Sequence, residues 1–238
     1  LAHRAANLIA TDVDPVRAAC AHSNLLAFGL GTARAIPGDG LDVLADEGRR
    51  ADTVFADPDR RPDGARTLDP ERWRPPLSAL CALADGARTV LVKAAPSLDA
   101  EVVPAPFDVT YVSHGGACVE AFLAARPGEP GGRVRAVLLP DDGPSVELAG
   151  DRSDAPHGPL GAALYTVDPA AIRARLLAEL CARHGLVLVD PGIAFLTGPR
   201  GAPGPFLAEH RVVASLPLRL RYLRAAVREA APAQVRVH

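Results

Sequence analysis

The sequence predicts an α/β protein in which a doubly wound sheet is followed by a small α+β domain. Over the first hundred residues, short apolar runs alternate with segments of helical periodicity. Each run is continuously apolar, which is typical of parallel strands covered on both faces. Later runs follow one another through Gly- and Pro-rich turns without intervening helices, which favours antiparallel strands.

The doubly wound part extends to about residue 116. Its helices are recognised by their start and stop signals as well as by periodicity, as at residues 75–86, where proline occupies the first turn and Gly86 follows the last. The predicted strands span residues 6–12, 32–39, 51–57 and 87–94, and the predicted helices span residues 14–30, 41–48 and 75–86.

The C-terminal part begins after a polar segment without sustained periodicity at residues 141–161. We place a domain boundary there, with domains at residues 1–145 and 158–238. A long amphipathic helix is predicted from the N-cap Asp168 to the closing Gly185. Strands are predicted at 107–113, 117–125, 133–140, 186–190 and 193–198, a further helix at 220–230 and a last strand at 234–238.

Composition excludes several classes of protein. The 238 residues are 48% apolar, which is enough for a large core, and the net charge of −2 argues against a polycation that coats nucleic acid. No run of 18 apolar residues occurs, so we expect a cytoplasmic protein without a membrane span or signal peptide. Since the chain contains no Met, we expect it to be a fragment.

The basic residues and the cysteines are each explained without a ligand. Lys93 is the only lysine among the 26 Lys and Arg residues, a bias that we attribute to a GC-rich genome. The four cysteines lie far apart without a C-x-x-C pair or clustered histidines, so we predict no metal site and expect buried free thiols.

Two acidic residues follow the first two strands. An acid at this place in a nucleotide-binding sheet bonds ribose hydroxyls, because ligands lie at the carboxyl ends of the strands. Asp12 has this position, and Asp39, between glycines, is placed to accept from an adenine amino group. The alternatives are that Asp12 is a solvated strand end beside a helix cap at Asp14, and that Asp39 belongs to a simple turn.

The third strand ends in the most specific pattern, Asp57-Pro58. Proline stiffens the turn and biases the preceding residue to extended geometry, which would direct the Asp57 carboxylate and carbonyl out of the strand end. An ordinary turn is the alternative. Nearby arginines are candidates for phosphate contact or for a solvated loop, namely Arg60, Arg61, Arg66, Arg72 and Arg74. Lys93 lies at the end of the next strand. A lysine at this place is explained either by a need for a flexible point cation or by chance.

In order, these segments resemble a bacterial family of class I S-adenosylmethionine-dependent methyltransferases with a C-terminal THUMP-like domain. The segments that support the resemblance are ATDVDP, PGDG, FADPDRR, LDPERWRPP, VKAAPSLD, GALYTVDPAAIRARL and AFLTG. The chain has Asp59 where the family usually has alanine. The resemblance implies a Rossmann-like sheet whose first strand and glycine loop are missing from this chain.

The resemblance also implies the site and the reaction. Asp12 would bind the ribose of S-adenosylmethionine, Asp39 its adenine edge, and Asp57-Pro58 would hold the methyl acceptor. Arg60 stands where related amino-methyltransferases have an aromatic residue, so Arg60 and Arg61 are the expected substrate contacts. The expected reaction is methylation of RNA at a base nitrogen. The alternatives are a catalytically silent RNA-binding or assembly module and an NAD-dependent oxidoreductase.

Overall fold

The computed structural model describes residues 7–46, 51–62, 64–65, 67–84, 88–201 and 204–231. Its contacts divide the chain into two compact units. The first comprises Leu1–Val109 and Ala121–Arg133, and the second comprises Thr110–Glu120 and Val134–His238. The domain limits 1–145 and 158–238 stay a prediction.

The first unit contains the predicted alternation of strands and helices. Its elements are β1 (Ile9–Asp12), α1 (Pro15–Ala27), β2 (Arg34–Pro37), α2 (Gly40–Asp46), β3 (Thr53–Ala56), α3 (Leu77–Ala84) and β4 (Thr89–Ala94). Single 3-10 turns cover Pro70–Arg72 and Ala100–Val102. Gly86, the predicted end of α3, lies outside the described residues.

The strands of this unit pair in parallel, as the apolar runs predicted. β1 pairs with β2, and β3 pairs with β4. β1 and β2 form a two-stranded sheet of their own, whereas β3 is the first strand of a six-stranded sheet of order β3-β4-β6-β5-β7-β8. Val90 and Val92 of β4 are fully buried, while Phe55 of β3, which is the first strand of this sheet in the described part of the chain, is 44% exposed.

The remaining strands of the six-stranded sheet are β5 (Asp108–His114), β6 (Ala117–Ala125), β7 (Val134–Leu139) and β8 (Val146–Leu148). The β4–β6 and β7–β8 pairs are antiparallel, as predicted for this part of the chain. β8 lies in the polar segment for which the sequence predicted no element. Three residues are too short to show a period, and the pairing with β7 forms this strand.

A buried carboxylate fixes the end of the first unit. Asp108 is 2% exposed and accepts hydrogen bonds from the backbone N–H of Arg133 at 3.0 Å and from its Nε at 3.0 Å. Arg126 Nη1 lies 3.9 Å from the same carboxylate. The Asp108 carboxylate raises the pKa of Arg133. The charge of Asp108 is thus paired and hydrogen-bonded, as burial requires.

The second unit contains a four-stranded sheet of order β10-β11-β9-β12, in which β11 pairs antiparallel with β10 and with β9. Its elements are β9 (Ala163–Val167), α4 (Pro169–Arg173), α5 (Leu177–His184), β10 (Val187–Asp190), β11 (Ile193–Gly198), β12 (Leu207–Arg211) and α6 (Leu220–Ala230). The small α+β architecture predicted for the C-terminal part is therefore present. The strand predicted at residues 234–238 lies outside the described residues.

The long helix predicted from Asp168 to Gly185 is two helices. Asp168 caps the first and Gly185 ends the second with a φ of 64°, as predicted. Between them Arg175 has a φ of 57°, and the N–H of Leu176 donates to the Ala171 carbonyl at 3.0 Å. This bond ends α4. The periodicity of the sequence did not indicate the break, because the apolar residues that the two helices bury follow the same pattern.

Two further expectations concern the cysteines and the membrane. Cys181 is buried, and burial raises the pKa of its thiol, whereas Cys81 and Cys118 are half-buried and Cys20 is exposed on α1, so the expectation of buried thiols holds for Cys181 alone. No helix in the described ranges is long and apolar enough to cross a bilayer.

Arg175 provides a test of the break between α4 and α5. A left-handed conformation disfavours any residue with a Cβ by about 1 kcal/mol, and glycine is free of this cost. Arg175→Gly should therefore be about 1 kcal/mol more stable than Arg175→Ala, since both variants lose the same side-chain contacts. Urea unfolding of the two variants measures the difference. An alanine variant as stable as the glycine variant would show that residue 175 does not adopt this backbone geometry.

Candidate active site

Asp12 ends β1, and its carboxylate is held by the turn that follows. The backbone N–H of Asp14 donates to Asp12 Oδ1 at 2.9 Å, and Asp14 in turn caps α1 by accepting from the Val16 N–H at 2.8 Å. Asp12 is half-buried. The helix cap weighed as an alternative is therefore present at Asp14, and the Asp12 carboxylate still has Oδ2 without a hydrogen-bond partner among the described residues.

Asp39 lies just beyond β2, beside Asp12. Asp12 is opposite Pro37 in the parallel register, and the Gly38 N–H donates to the Asp12 carbonyl at 2.9 Å. Asp39 is exposed, and its Oδ1 accepts from the Leu41 N–H at 2.8 Å at the start of α2. Two carboxylates predicted separately thus follow neighbouring strands at the same edge of a parallel pair.

The glycines around Asp39 allow the backbone to approach β1 closely. A Cβ placed on Gly40 would lie 2.9 Å from Thr11 Oγ1, closer than real side chains allow. Gly38 has a φ of 149°, a conformation that residues with a Cβ rarely adopt. The glycines of the PGDG segment therefore allow the backbone conformation of this turn, and the Asp39 carboxylate accepts a hydrogen bond within it.

Asp57 lies just beyond β3, and the structure gives it a partner that the sequence did not. Lys93 Nζ lies 3.3 Å from Asp57 Oδ2, with the two side chains 40% and 51% exposed. Pro58 is buried and anchors the turn. The sequence singled out Asp57 and Lys93 independently. The signal that would have joined them is the parallel register, in which Ala56 is opposite Val92, the residue before Lys93.

A short antiparallel bridge joins the Asp57-Pro58 turn to the LDPERWRPP segment. Asp59 and Arg74 exchange backbone hydrogen bonds of 2.8 and 3.0 Å. The bridge is an isolated one, and Arg60 and Trp73 are the residues next to it. Trp73 is 3% exposed and packs in the core, while Arg60 is half-buried.

The candidate substrate contacts differ in exposure. Arg61 is exposed and its backbone N–H donates to Asp59 Oδ1 at 2.8 Å, whereas Arg60 Nη1 is buried. Within the described ranges, Arg60 Nη1 and Trp73 Nε1 are buried donors without a hydrogen-bond partner. Of the other predicted arginines, Arg72 and Arg74 are exposed and Arg66 lies outside the described residues.

The structure thus brings the predicted residues together in two pairs, Asp12 with Asp39 and Asp57 with Lys93. No hydrogen bond or ion pair of the described residues joins one pair to the other. The described part of the chain contains no group of three or more His, Cys, Asp or Glu side chains suited to a metal ion. The groups available at these strand ends are hydrogen-bond acceptors and one ammonium.

Acidic residues beyond parallel strands of an α/β sheet are typical of nucleotide-binding proteins, and comparison with solved structures makes the fold more specific. The chain superposes with a TM-score of 0.76 on the crystal structure of a provisionally assigned methyltransferase from Porphyromonas gingivalis W83. The two are 16% identical, and the match covers 96% of this chain and 60% of that one. The predicted methyltransferase-type fold is confirmed.

Sequence comparison finds relatives in two strains of Mycobacterium tuberculosis, CDC 1551 / Oshkosh and ATCC 25618 / H37Rv. Each is described as an uncharacterised S-adenosylmethionine-dependent methyltransferase, and each is 37% identical to this chain over 207 residues. The match covers 84% of the chain and 54% of each relative, so the chain spans about half the length of these proteins. No protein-family model matches the chain. The predicted resemblance to S-adenosylmethionine-dependent methyltransferases is confirmed.

Proposed function

We propose that the protein is an S-adenosylmethionine-dependent methyltransferase that acts on RNA at a base nitrogen, with its THUMP-like C-terminal part assisting substrate binding. The observation that supports the cofactor most directly is the pair of carboxylates, Asp12 and Asp39, beyond neighbouring parallel strands. The relatives described as methyltransferases that use this cofactor support it independently.

The residues present fit the adenosine part of the cofactor. Ribose hydroxyls and an exocyclic amine are hydrogen-bond donors, and the site offers carboxylate acceptors in Asp12 and Asp39. Asp12 is held by its turn with one oxygen unused, and Gly40 brings the backbone close to β1. When bound, the cofactor supplies an electrophilic methyl group on a sulfonium. Asp12 would bind the ribose and Asp39 the adenine edge.

Asp57 and Pro58 are suited to hold the methyl acceptor. Transfer from a sulfonium to nitrogen is an in-line displacement, so positioning of the amine does most of the catalysis and a strong base is unnecessary. The half-exposed Asp57 carboxylate is accessible to an amine, and buried Pro58 fixes the turn. Exposed Arg61 and half-buried Arg60 follow directly and would contact the substrate.

RNA as the acceptor is supported by the charge pattern of α6. Arg221, Arg224 and Arg228 recur at helical spacing, so they form one exposed stripe beside the exposed apolar residues Leu220 and Val227. Exposed Arg219 precedes the helix, and exposed Arg211 ends β12. Because the net charge of the chain is −2, such a local basic surface, and not the overall charge, would have to bind phosphates.

Asp12→Ala tests the cofactor site. The variant should bind S-adenosylmethionine about 1–3 kcal/mol more weakly, because it loses charged hydrogen bonds to the ligand. Saturation-transfer difference NMR measures the affinities even where binding is weak. Asp14→Ala is the control: it removes the cap of α1, which costs about 1 kcal/mol of stability, and leaves the affinity unchanged. If Asp12→Ala unfolds the protein and its folded fraction binds normally, Asp12 is structural.

Asp57→Ala tests the acceptor site. Methyl transfer should be lost while the affinity for S-adenosylmethionine changes little, because Asp57 follows a different strand pair from Asp12 and Asp39. Single-turnover assays with labelled donor and total cellular RNA measure this. Asp59→Asn, two residues away, can still accept from the Arg61 N–H and should stay active. Unaltered methylation by Asp57→Ala would remove this residue from the mechanism.

The salt dependence of RNA binding tests the acceptor class. Each phosphate contact to a single strand contributes a slope of about −0.7 in log affinity against log salt. Changing Arg221, Arg224 and Arg228 together to Gln should reduce the slope by about two units and leave cofactor affinity unchanged. Filter binding at several salt concentrations measures it, with Arg17→Gln on α1 as the control. No retention of RNA at low salt would exclude RNA as the acceptor.

A further inference from the structure

Lys93 is the only lysine in the chain, and its ammonium lies against the carboxylate that the proposed function assigns to the substrate. Its Nζ is 3.3 Å from Asp57 Oδ2, within hydrogen-bond distance. Asp57 Oδ1 has no hydrogen-bond partner among the described residues. The ion pair therefore occupies one carboxylate oxygen and leaves the other accessible.

Both ends of this pair start from fixed backbone. Lys93 lies in β4, which pairs with β3 on one side and with β6 on the other, where Phe122 is directly opposite Lys93. Asp57 follows β3 and precedes buried Pro58. The neighbours Ala56 and Val92 are opposite each other, so the parallel register brings the next residue of each strand together. The sheet thus sets the relative positions of the two backbone segments from which these side chains extend.

Stability does not explain a lysine at this place. The two side chains are 40% and 51% exposed, and ion pairs of that exposure add little to the free energy of folding. An arginine, which the chain uses at every other basic position, would present a wide planar group with several donors. A lysine presents a compact charge that can bind one oxygen and leave the second free.

We propose that Lys93 is a positioning residue that binds Asp57 Oδ2 and thereby orients Oδ1 toward the acceptor amine. This role rests on the proposed methyl transfer. In that reaction the nitrogen lone pair forms the new N–C bond while the C–S bond breaks and its electron pair returns to sulfur. The methylated nitrogen then releases a proton to water. Lys93 takes no part in the bond changes or the proton transfer and acts only through Asp57.

Substitutions at Lys93 and Asp57 test this role kinetically. Lys93→Met should lower kcat about tenfold, with KM and S-adenosylmethionine affinity changed less than about twofold. Lys93→Arg should recover part of the loss, because a guanidinium also donates to the carboxylate. In an Asp57→Asn background, Lys93→Met should have little further effect, since Lys93 acts through the carboxylate. A purely structural lysine would instead lower activity in both backgrounds equally.

The ion pair itself is measured without any activity. Reductive methylation with ¹³C-formaldehyde labels only Lys93 and the N-terminal amine, because the chain has no other lysine. The Lys93 methyl resonance should shift in Asp57→Asn and stay in place in the matched control Asp59→Asn, whose side chain bonds the Arg61 N–H. An unshifted resonance in Asp57→Asn would show that Lys93 and Asp57 do not form the contact, which would overturn the proposal.

The two measurements separate this inference from the function on which it rests. Methyl transfer by the unchanged protein together with full activity of Lys93→Met would overturn the role of Lys93 alone. Absence of methyl transfer by the unchanged protein would overturn the proposed function, and a shifted resonance would then indicate only a surface ion pair, which also rejects the positioning role. Three results would together support the positioning role of Lys93: a tenfold loss of kcat in Lys93→Met, partial recovery in Lys93→Arg, and no added loss from Lys93→Met in the Asp57→Asn background.

Discussion

Parallel pairing of adjacent strands is the constraint on which the candidate site depends. In a parallel pair both strands end at the same edge of the sheet, so residues that follow them are neighbours although they are distant in sequence. Asp12 and Asp39 are brought together in this way by β1 and β2, and Asp57 and Lys93 by β3 and β4. None of these side chains needs a long loop to reach its place.

Local hydrogen bonds and binding roles are compatible at these strand ends. A carboxylate has two oxygens and several acceptor sites, so one can complete a turn while the other faces solvent. Asp12 accepts from the Asp14 N–H, and Asp39 accepts from the Leu41 N–H at the start of α2. The helix cap weighed at Asp14 and the turn weighed at Asp39 are thus both present. These local hydrogen bonds also orient the Asp12 and Asp39 side chains before any ligand arrives.

The sequence predicted the elements and the direction of their pairing, but not the contacts that depend on register, for a physical reason. Apolar runs and caps are local, so β1 to β4 and the capping role of Asp168 followed from residues within a few positions. The contact between Asp57 and Lys93 spans 36 residues and depends on register, which periodicity does not specify. The break at Arg175 was not predicted for another reason, since only the backbone conformation of that residue indicates it.

The separation of the described strands into two sheets has a consequence for strand pairing. In the part of the chain that the structure describes, β1 pairs only with β2 and β3 only with β4, so each offers one free row of backbone N–H and C=O groups. Exposed edge strands are templates for pairing with any extended polypeptide, and charges or bulges usually protect them. β3 has the sequence TVFA, with neither a charge nor a proline, and Phe55 is exposed on it. These edges are therefore where a further extended strand would add to either sheet through backbone hydrogen bonds.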